Sequence, residues 1–262
     1  MGSLTAEAVI LTDGEIAAAR IIRVRPRPEQ SAREVMDLAL TDVNLTYEDI
    51  EYTVSTGYGR ETISFADHNI SEVSCHGKGA HWLIPSIRTV IDVGGQDCKA
   101  IRVDAEGVLE DFVMNDKCAA GTGRSLELMS QYLGVHFSEL ADLAEEAKQT
   151  ITITSQCSIF SELEIMHYLM EDQRPSDIAA GINEAMARRV KMLVGRVGVR
   201  SDLAISGGVC KNRGVVKCLE EMLGAKFVSF DQDPQIVGAL GAAVFARERL
   251  ESAARRAGRS RG

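Results

Sequence analysis

A chain of 262 residues, 45% of them hydrophobic, is long enough for one large or two modest domains with buried cores. Its net charge of −9 and pI near 5.2 argue against a nucleic-acid binder. No apolar run approaches the roughly 18–20 residues of a membrane span, and the N-terminus lacks the basic-then-apolar pattern of a signal peptide. The composition therefore points to a globular, cytoplasmic protein with no membrane partner. Its six cysteines, with no C-x-x-C pair among them, are expected as reduced thiols rather than a disulfide framework.

Residues 8–22 read as strand, Asp13-Gly14 turn and strand, a hairpin by its apolar runs and turn chemistry. Helical spacing at Ala32, Val35, Met36 and Leu38 predicts a helix over residues 29–40, followed by a strand over 51–56 that ends in Thr56-Gly57-Tyr58-Gly59-Arg60. A helical segment around residues 70–83 stops before Pro85. A short buried strand over 89–93 then ends in Gly94-Gly95 and starts a second unit. Residues 99–103 and 108–114 read as a second hairpin around the turn at 104–107. Two helices headed by cysteines come next, then a helix over 177–197 and a short strand over 203–206 ending in Gly207-Gly208. A helix over 212–223, a strand over 226–229 and a last helix over 235–247 complete the chain. Gly238 and Gly241 lie among alanines in that last helix, which permits close backbone approach. The basic run at 247–261 is expected as a frayed, solvated tail.

Two cysteines stand out. Cys118 sits in Asn-Asp-Lys-Cys-Ala-Ala-Gly-Thr-Gly-Arg, residues 115–124, and Cys157 in Thr-Ser-Gln-Cys-Ser-Ile-Phe, residues 154–160. Each lies at the entrance of an apolar-periodic helix, where unpaired N–H groups and the macrodipole favour negative charge. Two thiolates do not close a site. A four-thiolate iron–sulfur cluster or zinc site needs a second pair, so a functional role implies two chains sharing one metal centre. Cys98, Cys210 and Cys218 lie in apolar surroundings and read as small buried side chains. Cys75 and His76 are adjacent and point in different directions, which disfavours a ligand pair. His68, His81, His136 and His167 share no spacing and read as surface or packing residues.

The segment Asp92-Val-Gly94-Gly95-Gln96-Asp97-Cys-Lys99 combines glycines whose amides can cradle phosphate with carboxylates able to hold Mg²⁺ directly or through water. Ile205-Ser-Gly207-Gly208 repeats the strand-to-diglycine construction. Two such turns facing each other across a cleft could hold the two ends of a nucleotide. Gln96 and Asp97 follow the diglycine on the phosphate side and are the candidates, with Asp92, for placing Mg²⁺ or the attacking water.

Residues 92–99 resemble the second phosphate motif, and residues 205–212 the adenosine motif, of the fold shared by acetate kinases, sugar kinases, actin and Hsp70 chaperones. The cysteine segments at 115–124 and 154–160 resemble those of the activator component of 2-hydroxyacyl-CoA dehydratases and of the related ATPase subunits of benzoyl-CoA reductase. The similarity spans essentially the whole chain, residues 56–60 and 238–243 included. It implies an α/β, two-lobed, actin-like ATPase with nucleotide in the inter-lobe cleft, with lobes at 1–88 and 89–235 and a C-terminal helix over 236–262 returning toward the first lobe. ATP would be bound with Mg²⁺ by Gly2, Ser3, Gly94, Gly95, Lys99, Gly207, Gly208, Asn212 and Gly238. One [4Fe–4S] cluster would be shared by two chains, identical or paralogous, through Cys118 and Cys157. An electron from ferredoxin or flavodoxin would pass, with ATP hydrolysis, to an acyl-CoA dehydratase or reductase. A small-molecule kinase of the same fold and a non-catalytic nucleotide-binding organising subunit are the competing readings.

The first phosphate motif departs from the pattern. The fold normally has a strand ending in Asp-x-Gly-Ser or Asp-x-Gly-Thr, whereas this sequence starts Met1-Gly2-Ser3-Leu4. Met1 stands where the family has the residue between Asp and Gly, which is what a start codon assigned too late would give. Glu7 stands where many relatives carry lysine.

Overall fold

The computed structural model describes residues 1–115, 121–155 and 157–259, with side chains to residue 256. Two compact units are formed: Met1–Arg88 with Ile101–Glu110 and Phe230–Gly262, and Thr89–Ala100 with Asp111–Ser229.

In the first unit, β1 (Thr5–Thr12) and β2 (Glu15–Arg23) form the expected antiparallel hairpin. Asp13 and Gly14 both take positive φ, the backbone that a two-residue turn of this twist requires. Helix α1 (Pro28–Asp42) opens with proline, whose fixed φ suits a first turn. It lays Val35, Met36, Ala39 and Leu40 on Ala6, Ala8 and Ile10 of β1. The strand expected over 51–56 is only β3 (Val54–Ser55), paired in parallel with β4 (His68–Asn69), because no longer neighbour runs beside it among the described residues. Helix α2 (Glu72–Leu83) begins at Ser71, whose hydroxyl accepts the Ser74 N–H.

The largest sheet among the described residues has five strands. Its strands are β5 (Thr89–Val93), β6 (Cys98–Val103), β7 (Leu109–Asn115), β8 (Leu203–Ser206) and β9 (Phe227–Val228), in the order β7-β6-β5-β8-β9. Every residue of β5 and β8 is buried, as in parallel strands covered on both faces. The helices are α3 (Gly123–Tyr132), α4 (Leu140–Glu145), α5 (Ser158–Met170), α6 (Pro175–Val197) and α7 (Arg213–Leu223). Helix α6 is central and buries Ile178, Ile182, Met186, Val190 and Val194.

Helix α8 (Val237–Arg259) returns to the first unit and packs on α2. A Cβ at Gly79 would strike the Val237 carbonyl, and one at Gly241 the Cys75 carbonyl, so the small residues read from the sequence do permit close approach. The basic stretch departs from expectation. It stays helical to Arg259 instead of fraying, helped by Glu251 lying one turn from both Arg247 and Arg255. Among the described residues no helix is long and apolar enough to cross a membrane.

Candidate nucleotide site and cysteine helices

The register of the parallel pair β5–β8 assembles the phosphate motifs. Asp92 lies opposite Ser206, so the diglycines that follow leave the carboxyl ends of neighbouring strands side by side. They do not face each other across a gap. Ligands in open α/β sheets gather at such strand ends. Gly207 takes φ +87°, and a Cβ there would strike the Val93 carbonyl and lie 2.8 Å from Asp92 Oδ1, so only glycine fits.

A buried charge cluster braces this corner. The Lys99 ammonium reaches Asp97 Oδ1 at 2.7 Å and Asp92 Oδ2 at 3.1 Å, and the Ser206 hydroxyl donates to Asp92 Oδ1 at 3.1 Å. Burial opposes the lysine's charge, yet the two carboxylates outweigh it and raise its pKa. Lys99, expected at the phosphate, has a side chain only 3% exposed and is occupied by two carboxylates, which makes it an internal counterion. Asp92 is equally buried and holds both oxygens inward. Asp97, one-fifth exposed, and Gln96, exposed, are the side chains of this turn that reach solvent.

The turn is locked to a helix. Gly94 N–H closes on Asp97 O, while the amides of Gly123 and Arg124, at the start of α3, donate to the carbonyls of Gly94 and Gly95 at 2.9 Å each. A Cβ at Gly123 would meet Gly94 O at 3.2 Å. The sequence offered Gly123 as part of the cysteine motif, and its role as a docking point against the diglycine was missed. Beyond Gly208, Asn212 caps α7 by accepting the Val215 N–H, and its amide donates to Asn183 Oδ1. Gly2, Ser3 and Gly238 belong to the other unit. There the Gly2 N–H donates to Thr5 O, Ser3 is half-buried, and Gly238 lies against the His76 ring.

Cys118 lies outside the described residues. Cys157 is the N-cap of α5, half-buried and free, with its carbonyl accepting from the Ser161 amide and hydroxyl. Residues 154 and 155, upstream of it, are pinned from two sides. Glu164 accepts the amides of Thr154 and Ser155 at 3.0–3.1 Å, and Arg189 donates to Ser155 O and Ser161 Oγ. Helix α5 is buried only at Ser161 and Ile165. Ile159, Phe160, Leu163 and Met170 are 51–79% exposed, which leaves an apolar face beside the cysteine. Of the thiols read as small buried side chains, Cys98 is buried, whereas Cys210 and Cys218 are only half-buried against the core of the second unit. Burial drives Cys98 up, and carries Cys75 to about 11.

From residue 1 to residue 246 the chain matches a single family pattern. It belongs to the BadF/BadG/BcrA/BcrD ATPase family. Family relatives include the activator of lactoyl-CoA dehydratase from Anaerotignum propionicum, 44% identical over 95% of each chain. The crystal structure of (R)-2-hydroxyglutaryl-CoA dehydratase component A from Acidaminococcus fermentans superposes with a TM-score of 0.91 at 40% identity, over 95% of this chain and 96% of that one. The activator of 2-hydroxyisocaproyl-CoA dehydratase from Clostridium difficile, solved with ADPNP bound, gives 0.92 at 38% identity, over 98% and 95%. This family member thus has the actin-like α/β fold of activator ATPases, and membership implies ATP as its ligand.

Proposed function

We propose that this ATPase is the activator of a 2-hydroxyacyl-CoA dehydratase, delivering a low-potential electron from a [4Fe–4S] cluster held jointly by two chains. Cys118 and Cys157 supply one thiolate each per chain. The described half of that donor set fits: a free, half-buried thiol at a helix N-terminus, reachable by a second chain and flanked by the exposed residues Ile159 and Phe160. When bound, the cluster supplies one-electron chemistry whose potential depends on its hydrogen bonds and exposure. ATP lies with its phosphates against the Gly94-Gly95 and Gly207-Gly208 turns. Asp97 and Gln96 hold Mg²⁺ or orient the attacking water, and Asp92 and Lys99 keep the turn rigid from beneath.

The observation that carries this reading is the backbone join between Gly94-Gly95 and Gly123-Arg124. A shift of the phosphate turn on nucleotide binding or hydrolysis is passed directly to α3, which follows the Cys118 segment in the chain. Nucleotide state can thereby alter cluster exposure and partner docking. The donor is a ferredoxin or flavodoxin, the second chain is an identical copy or a paralogue, and the protein works in the cytoplasm. Relatives at 41–44% identity that are themselves named dehydratase activators favour that acceptor over an aromatic-ring reductase.

Iron and acid-labile sulfide after anaerobic purification test it. About two irons per chain, as one four-iron cluster shared by a dimer gives, lost in Cys118→Ser and in Cys157→Ser, is the expected result. Iron-free protein that still binds ATP after anaerobic reconstitution would overturn it in favour of a small-molecule kinase or an organising subunit.

A further inference from the structure

The segment that leads to Cys157 is fastened to the central helix α6 at successive points. The amides of Lys148 and Gln149 donate to Asp177 Oδ1 at 2.8 and 3.4 Å, and the Ile151 amide donates to the Asp177 carbonyl at 3.2 Å. One turn further along α6, a Cβ at Gly181 would strike the Ile151 carbonyl, so only glycine lets the segment lie this close. Burial then alternates, with Ile151 and Ile153 in the core and Thr152 and Thr154 exposed. The last fastening is made by Arg189, 189 − 177 = 12 positions beyond the first.

Arg189 meets both cysteine segments. Its Nη2 donates to the Ser155 carbonyl and, at 2.9 Å, to Ser161 Oγ. The Ser161 hydroxyl in turn lies 3.1 Å from the carbonyls of Ser155 and of Cys157. Guanidinium, Ser155 carbonyl and Ser161 hydroxyl are thus bonded to one another at the start of α5, and Ser161 is fully buried. The aliphatic stem of the same arginine lies against Gly121, the first described residue after Cys118. A Cβ at position 121 would begin 3.3 Å from Arg189 Cβ and 3.7 Å from its Cδ. Gly121 takes φ +88°, so the chain turns there with a bare α-carbon against the stem. The root of Arg189 is fixed in turn, because Met186 and Val190 of α6 are buried in the core.

We infer that Arg189 is a positioning residue for the cysteine ligands. One side chain rooted in α6 holds the start of α5 through hydrogen bonds and the Gly121 turn through its stem, so both cysteine segments are tied to a single support. Arginine suits this place, because its planar head bonds a carbonyl and a hydroxyl together while its methylenes pack below. Segments fastened before loading lose less freedom when the cluster binds and release it more slowly. That consequence rests on the proposed function, whereas the brace itself does not.

Hydrogen exchange on the iron-free, full-length chain tests the brace. Arg189→Met keeps a stem and loses the donors, so the amides of Thr154, Ser155 and Ser161 are expected to exchange at least ten-fold faster, while those of Gly123 and Arg124 and of β5 and β8 keep their rates. Arg189→Ala removes the stem as well, and Gly123 and Arg124 should then loosen too. Arg189→Lys, with a donor at the end of a similar stem, is expected to recover part of the protection. After anaerobic loading, Arg189→Met is expected to release iron to a chelator at least ten-fold faster than the parent, with ATP affinity unchanged. Ser161→Ala, which removes the middle partner of the guanidinium, supplies the same readouts should Arg189→Met fail to fold. Unaltered exchange at Thr154, Ser155 and Ser161 would overturn the inference, and so would a uniform rise that includes β5 and β8, because the arginine would then serve global stability alone. Equal iron release from parent and variant would overturn it while leaving the cluster reading in place. A parent that takes up no iron would instead remove the cluster reading, with the brace still decided by exchange.

Discussion

The Gly123 amide donates to the Gly94 carbonyl at 2.9 Å, and a side chain at position 123 would begin 3.2 Å from that oxygen. The Gly94-Gly95 turn and α3 are therefore joined main chain to main chain, here and again where the Arg124 amide donates to the Gly95 carbonyl. Gly123→Ala must push the two apart by a few tenths of an ångström, a cost of about 1–2 kcal/mol by the usual penalty for overpacking. The expected outcome is a folded protein whose ATP hydrolysis persists while nucleotide no longer shifts the cluster's electron paramagnetic resonance signal. A signal shift equal to that of the unaltered protein would remove this contact from the coupling route.

Gly207 offers no such latitude. At φ +87°, with the Val93 carbonyl in the path of any Cβ, Gly207→Ala is expected to cost about 3 kcal/mol or more through strain and collision. Urea denaturation of the second unit's transition measures it, and a loss below about 1 kcal/mol would contradict the geometry.

Lys99→Met leaves Asp92 buried with its charge uncompensated, for which about 3–5 kcal/mol is expected. The pH dependence follows from the direction of the lysine's shift. Because its folded pKa is raised, its contribution is complete below the unfolded value of about 10.4 and is lost only as pH climbs from there through the folded pKa. Between pH 7 and 9 the stability difference between Lys99→Met and the parent should therefore be flat. A difference that shrinks as pH rises across that window would show the lysine to be less tightly held.

Glu164 acts on the loop that leads to Cys157. Burial works against its carboxylate, but the Thr154 and Ser155 amides outweigh burial and hold its pKa below the ordinary range. With a depressed folded pKa, its contribution is present above the unfolded value of about 4.3 and lost as pH falls through the folded one. Glu164→Ala releases both amides, at about 1–2 kcal/mol. The cluster reading predicts faster iron release from this variant in the presence of a chelator, with ATP affinity unchanged. Equal release rates would confine Glu164 to a stabilising role.

Phe160 is 62% exposed on α5, immediately before Ser161, which with Ile165 anchors the helix. Phe160→Asp should leave stability within about 0.5 kcal/mol, as for surface changes generally. It should nevertheless weaken association with the second chain or the acceptor, read by analytical ultracentrifugation and by electron delivery. Unchanged association and delivery would mean that the apolar face beside Cys157 is not a contact surface.

Much of this protein is written in local patterns. Apolar periodicity, Asp13-Gly14 and the strand-to-diglycine junctions placed the β1–β2 hairpin, the core strands β5 and β8 and helix α6 to within a few residues, because each depends on neighbours close in the chain. The cysteine and glycine motifs pointed to the ATPase family before any contact was known. Contacts between distant residues were not legible. That Asp92 and Ser206 face each other follows from the parallel register of β5 and β8, which a sequence does not print. Lys99 looked like a phosphate ligand because its charge was visible, and only its burial between Asp92 and Asp97 makes it a counterion. The same holds for Gly123 against Gly94 and for the pinning of residues 154–155 by Glu164 and Arg189. Composition and periodicity determine which segments form strands and helices, whereas charge pairing, close backbone approach and unfilled space arise only when those segments pack, so the tertiary structure alone decides them.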